Sequence, residues 1–183
     1  MNSMIDYIGS MITGGAVFAA MLTYFFNVSA TAVSQVFSVS TQEDMTSITE
    51  ILECDLRKAG FGVTDSVAFT IADSNHIAIR ADFDNNGTID TVQYWVGTTQ
   101  MPESSNPLAR ILYRQSNGKT VRLTPNAITR FKVWYYNASG AMTTDVRQIR
   151  TTRIAMNMEC KISYDNQTAG EYWERVIKPQ NLR

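Results

Sequence analysis

The chain has 183 residues, with 16 Lys or Arg against 17 Asp or Glu and a formal net charge of −1. That length allows one domain with an appendage, or at most two very small domains, and excludes anything larger. The apolar fraction of 44 % is ordinary for a globular protein, but it is unevenly spread: no Asp, Glu, Lys or Arg occurs between Tyr7 and Gln42.

The densest apolar run, "MITGGAVFAAMLTYFFNV" from Met11 to Val28, matches the length that spans a hydrocarbon core of about 30 Å. A cleaved secretory signal is the rival reading, with small residues at Ser29–Ala32 as a cleavage site. It fits poorly, because no basic region precedes the run and the run is too long. A buried core helix fits less well still, since no other segment is apolar enough to surround it. Arg57 and Lys58 are the first basic residues and lie too far along to orient a span.

No Pro or turn cluster interrupts the chain from Asp6 to Gly60. In "EDMTSITEILECDLRKAG" the apolar residues Met45, Ile48, Leu52, Leu56 and Ala59 recur at three-and-four spacing, which predicts a helix with one buried face. Glu43, Asp44, Glu50 and Asp55 are expected on other faces, and Glu53 and Arg57 can pair four apart. Arg57 and Lys58 suit the last turn, with Gly60 as the cap. The expectation is one helix over roughly residues 3–59, about 85 Å long at 1.5 Å per residue. Gly14-Gly15 and the Ser-rich, β-branched stretch 28–41 are its weak points.

After Gly60 the pattern turns to strands. "SVAFTIAD" and "HIAIRADF" alternate on either side of an Asp73-Ser74-Asn75 turn, and "TIDTVQYWV" follows "DNNG". "RILYRQSNGKTVRLT" predicts a hairpin with Asn117-Gly118 at its tip. "AITRFKVWYYN" and "VRQIRTTRIAMNMECKISY" read as long strands, "TTQMPESSNP" as a loop, and "YWERVI" as an edge strand. The predicted fold class is α+β: a long N-terminal helix, apolar in its first half, packed on a mostly antiparallel sheet of six or seven strands. Residues 1–42 form the apolar half and residues 43–183 the head. Residues 43–105 hold 11 acidic and 3 basic residues, whereas residues 106–183 hold 5 acidic and 13 basic. Such a split suits head-to-tail packing of subunits, unless the two sets interleave and cancel.

This layout resembles a known family. An apolar helix with an acidic residue near its start, running into "ILECDLRKAGFG", is similar to the minor type IV pilins and the minor pseudopilins of type II secretion systems. "FDNNGTIDTVQYWV", "ILYRQSNGKTVRLTPNAITRFKVWYYNASG" and "IRTTRIAMNMEC" are similar to the body of those proteins. The resemblance implies a single-pass subunit of the bacterial inner membrane, with its head outside the cytoplasm. It also implies a filament core built from the apolar half-helix. The implied partners are other pilin or pseudopilin subunits, the assembly platform and the membrane, with no nucleic acid. In the family an acidic residue in the first turns neutralises the free amine of the next subunit, and Asp6 is the candidate here. A carboxylate in an apolar bundle needs such a partner; alternatively Asp6 sits at a membrane interface beside the helix N-terminus. The anchoring and bundle residues are Ile8, Met11, Ile12, Val17, Phe18, Met21, Leu22, Phe25 and Phe26. The family's short basic leader ending in Gly is not seen in this sequence, so it is either already mature or dispenses with processing. Ile5-Asp6-Tyr7 matches the family's aliphatic–acidic–aliphatic pattern only in part.

In "DFDNNGTID", Asp82, Asp84, Asn86 and Asp90 take the first, third, fifth and ninth places of a Ca²⁺ loop, with Gly87 sixth. The twelfth place is Gln93 rather than Glu. The other reading is a type I′-like Asn-Gly hairpin with solvated carboxylates. Cys54 and Cys160 are the only cysteines. Outside the cytoplasm they could bridge helix to sheet, closing a loop worth about 4–5 kcal/mol on the entropic account; the alternative is two buried thiols. No catalytic constellation occurs: His76 is the single histidine, and there is no nucleophile elbow, phosphate loop or zinc set. The "VWYY" run at 133–136 alternates faces, which suits shared core and surface better than a binding platform. The sequons at Asn27, Asn86, Asn137 and Asn166 carry no functional weight. The expected function is therefore non-enzymatic: assembly, initiation or tip-capping of a filament. The alternative is a single-span envelope module whose β domain binds a ligand, with Ca²⁺ as a candidate, and never polymerises.

Overall fold

The computed structural model describes residues 2–65, 67–162 and 168–182, with nothing said of the side chain of Asn2. The start of the first predicted strand at Ser66, the last predicted residues of the long strand at Ser163 and Tyr164, and the Asn166 sequon lie outside the described residues. Helix α1 runs Asn2–Lys58. By contacts the chain divides into one unit ending at Phe37 and a second beginning at Ser38.

In the second unit, the predicted stripe is buried: Met45, Ile48, Leu52 and Leu56 on α1, with Ala59 just past its end, are at most 5 % exposed. The helix ends as its last residues suggest. Gly60 takes φ +83°, and its N–H donates to the Arg80 carbonyl. A Cβ there would lie 2.9 Å from Leu182 Cδ2 and 3.3 Å from Ala68 Cβ. Gly60→Ala should therefore destabilise the head by about 1–2 kcal/mol, from the left-handed backbone together with crowding. Gly118, at φ +84° with open space around it, should lose only the backbone share on the same change. Denaturant midpoints of the two variants, compared with the parent, check this.

Among the described residues eight strands follow, not six or seven, and they form two sheets rather than one. The first is an antiparallel meander of five: β1 (Phe69–Ala72), β2 (His76–Ala81), β3 (Asp90–Val96), β4 (Leu112–Ser116) and β5 (Lys119–Arg122). Asn117 and Gly118, both at positive φ, close the β4–β5 hairpin with Ser116 opposite Lys119. The second sheet is β6 (Ala127–Tyr136), β7 (Thr151–Glu159) and β8 (Gly170–Ile177), with β8 at the edge. Strand β7 starts later than its apolar pattern suggests: residues 146–148 form a turn, and Arg150 N–H donates to the Tyr136 carbonyl. The sheets meet through an Arg110–Ile128 bridge at one end and a Val133 N–H to Ser74 O bond of 2.8 Å at the other.

One core cluster gathers the helix stripe, Phe69, Ile77, Ile79, Val92 and Leu112 from the first sheet, and Ile128, Val133, Ile154, Met156 and Met158 from the second. Within "VWYY" the faces alternate as expected, with Val133 and Tyr135 buried and Trp134 and Tyr136 half-exposed. Two buried phenols give the fold an alkaline limit. Burial, then the charge of Asp73, pushes the Tyr135 hydroxyl far above its ordinary pKa, and burial followed by Asp55 does the same at Tyr94. Above about pH 10 the unfolded chain ionises these groups while the folded chain keeps them neutral. Stability should then fall by about 1.4 kcal/mol per pH unit for each phenol. Urea midpoints between pH 9 and 11 measure the slope, and Tyr135→Phe should remove about half of it.

Candidate functional site

The segment of α1 up to Phe37 is built almost entirely from apolar and small side chains, and the described residues provide no cover for it. The nine expected anchor residues, from Ile8 to Phe26, are all exposed, between 41 % at Leu22 and 67 % at Ile12. By length and composition this helix can cross a membrane. Its threonine hydroxyls are already satisfied within the helix: Thr13, Thr23 and Thr31 donate to the carbonyls of Gly9, Ala19 and Asn27 at 2.9–3.0 Å. That removes the cost of carrying them into a medium without water. Asp6 is different. It lies one turn inside the helix start, exposed, with no side-chain partner among the described residues. In an apolar medium its carboxylate would have to find a cation or an N–H donor outside its own chain, or remain in water.

The acidic loop between β2 and β3 is closed from within. Asp82 accepts from the amides of Asn86 (3.0 Å) and Gly87 (2.8 Å). Asp90 accepts from Phe83 N (3.2 Å) and Asn117 Nδ2 (2.6 Å), and Asp84 accepts from Asn86 Nδ2 at 2.8 Å. Three carboxylate oxygens, from Asp82, Asp84 and Asp90, fall within 4.8 Å of one another. The fourth expected ligand, Asn86, and the residue at the twelfth place, Gln93, both have partners elsewhere. Asn86 Oδ1 accepts from Thr88, and Gln93 lies in β3, bonded to His76 Nε2 at 2.9 Å and to the Gln115 side chain. The positive-φ residues are Asn85 and Gly87, not a consecutive pair, so the turn is not the type I′ hairpin either. It is an eight-residue connection whose carboxylates cap its own amides.

The expected Cys54–Cys160 bridge is not formed. The reason is angular. Cys54 sits two residues from both Leu52 and Leu56, about 200° around the helix from each, so it faces outward while they are buried. Cys160 is 7 % exposed in the core. The result is one exposed and one buried thiol, neither the bridge nor the two buried thiols.

Asp55 also departs from expectation. It is 7 % exposed and lies on the buried face of α1. Tyr94 Oη donates to its Oδ2 at 2.5 Å, Arg114 Nε donates at 2.9 Å, and Arg114 Nη2 lies 2.8 Å away. Tyr94 and Arg114 are register partners on β3 and β4, so one rung of the sheet meets one helix carboxylate. Burial works against the Arg114 charge, but Tyr94 and Asp55 outweigh it and hold its pKa above the ordinary value. Two further bonds tie the helix down: Asn126 Nδ2 to Asp44 at 2.7 Å, and Arg175 to Glu53 at 3.1 Å. Glu53 also pairs with Arg57 as expected, at 3.2 Å. The missed signal was available in the spacing, because Asp55 lies three after Leu52 and seven after Ile48, on the same stripe.

Compared with models of known protein families, with curated proteins and with solved structures, the chain finds no match. The functional reading therefore rests on the chain itself: a folded α+β head, and an apolar helix segment left exposed among the described residues.

Proposed function

We propose that this chain is a non-enzymatic, membrane-anchored subunit of a filament of the minor pilin or minor pseudopilin kind. It would act in assembly, initiation or at the tip of a type IV pilus-like or type II secretion filament. The observation that carries the reading is the uncovered apolar helix with a single carboxylate near its start, continuing into the helix on which a two-sheet head is built. Exposed apolar area of that extent demands a membrane or a partner. One helix satisfies both demands in turn if it lies in lipid before assembly and in a bundle of like helices afterwards. Asp6 then meets the amine of a neighbouring subunit and sets the axial register. The head stays outside the cytoplasm, and the partners are other filament subunits and the inner-membrane assembly platform.

Mass spectrometry of sheared filaments, compared with the membrane fraction, tests this. The chain is expected in the sheared fraction, and the mass of its N-terminal peptide reports whether it is processed. Recovery from membranes alone would overturn the filament role and favour a single-span module whose β domain binds a ligand.

A further inference from the structure

The seam between the two sheets is interrupted. Between the Arg110–Ile128 bridge and the Val133–Ser74 bond, the edge of β6 is open, and an open cleft of about 470 Å³ lies there. Its lining includes Arg110, Arg130 and Lys132, with Asn75, Thr98 and Thr129 beside them, and no acidic side chain among the described residues. None of the three cations is in an ion pair among the described residues. Arg110 is held in place by carbonyls only, donating to Pro107 O at 2.7 Å and Ala109 O at 2.9 Å, which leaves its charge uncompensated. Lys132 rests over the Trp134 ring at 5.3 Å. Glu174, the acid whose charge Arg130 reaches, is already taken by Arg153 at 2.7 Å. Val133 N–H points away from β7 to Ser74, so ladder alternation turns the Phe131 N–H to that same side, into the opening. The cleft is thus a socket of three cations and a backbone donor.

The complementary feature lies on the same head. Glu43 and Glu50 are exposed, seven residues apart on the outward side of α1, and neither is in an ion pair among the described residues. Seven residues are two turns, about 10.5 Å, so both carboxylates share one face. Ile51, 42 % exposed, and the exposed Cys54 flank Glu50. Donor and socket are different patches, so a contact between them is heterologous and passes from copy to copy, as a ring or an open filament according to its rotation.

We infer that the inter-sheet cleft receives the carboxylates of Glu43 and Glu50 from the outward helix face of a second copy of this chain, making a head-to-tail contact between neighbouring head domains. This rests on the filament reading above, and it names the surfaces that reading leaves open. Opposite charges at the two patches steer the approach and fix the pairing, while like patches repel.

Cys54 supplies a native probe one helical turn from Glu50. In the full chain in its membrane, Asn75→Cys adds a thiol at the cleft without changing charge. A short bis-maleimide should then link Cys54 of one copy to the cleft of the next. The expected product is a ladder of three or more copies, absent from the parent chain and from the variant that also carries Cys54→Ser. Glu50→Lys should reduce the ladder at least fivefold, and adding Lys132→Glu to it should restore most of the loss. Oligomers seen by amine crosslinking without the thiol ladder would overturn this contact and leave the filament reading standing. No oligomer by either chemistry would also overturn this contact, while the filament reading falls only if the sheared fraction lacks the chain. A ladder lost with Arg130→Glu but untouched by Glu50→Lys would assign the socket to a different anion and overturn the pairing.

Discussion

Asp55→Ala should destabilise the head by about 3 kcal/mol, because it removes the one carboxylate among the described residues that Arg114 and Tyr94 meet beneath the helix. The value sits at the low end for breaking a buried pair, since Arg114 keeps 23 % of its side chain exposed and water can partly compensate it. In a head of this size that corresponds to roughly 6–12 °C in melting temperature. Controls divide the effect. Tyr94→Phe removes one hydrogen bond and should cost about 1 kcal/mol. Asp55→Asn keeps the shape but not the charge and should fall between the two. Replacing both ionic partners, Asp55→Leu with Arg114→Met, should recover much of the loss, because no charge is then left stranded. Thermal melts of the full chain in detergent, followed by near-UV circular dichroism, check the order. An Asp55→Ala variant as stable as the parent would show that the cluster is neutral to stability.

Asp6→Ala should reduce recovery of the chain in sheared filaments at least tenfold while leaving its level in the membrane unchanged. The two effects separate because the carboxylate plays opposite parts in the two settings. In lipid an ionised carboxylate costs several kcal/mol or must stay at the interface, so removing it does not hinder insertion. In a bundle of apolar helices a carboxylate paired with an amine contributes only when both partners are present, and 1.4 kcal/mol is a tenfold change in occupancy. Asp6→Glu keeps the charge one methylene further out and should retain part of the assembly. Quantitative immunoblots of sheared and membrane fractions decide the matter. Normal incorporation of Asp6→Ala would remove the register role and leave Asp6 as a carboxylate beside a helix start.

Local pattern decided a good deal of this protein. The charge-free run, the Met45–Ala59 stripe and the Gly60 stop define α1, because helix periodicity and capping are properties of neighbouring residues. Asn117-Gly118 specified its hairpin for the same reason: only a tight turn with two positive φ values uses that pair so readily. The exposed helix with Asp6 was legible too, since a run without charges needs no tertiary information to be recognised.

Tertiary structure decided what depends on distant partners. Whether eight strands make one sheet or two depends on where edges stop pairing, and no short-range signal marks the open seam beside Phe131. Asp55 shares the apolar stripe, but its burial is tolerable only because Tyr94 and Arg114, 39 and 59 residues away, arrive on the facing rung. The thiols failed to pair because a bridge requires two side chains to face each other across the fold, and the rotation of Cys54 away from Leu52 and Leu56 rules that out. Gln93, twelfth in the acidic loop by count, joins His76 and Gln115 across the sheet instead, because strand register outranks motif spacing once β3 is paired on both sides.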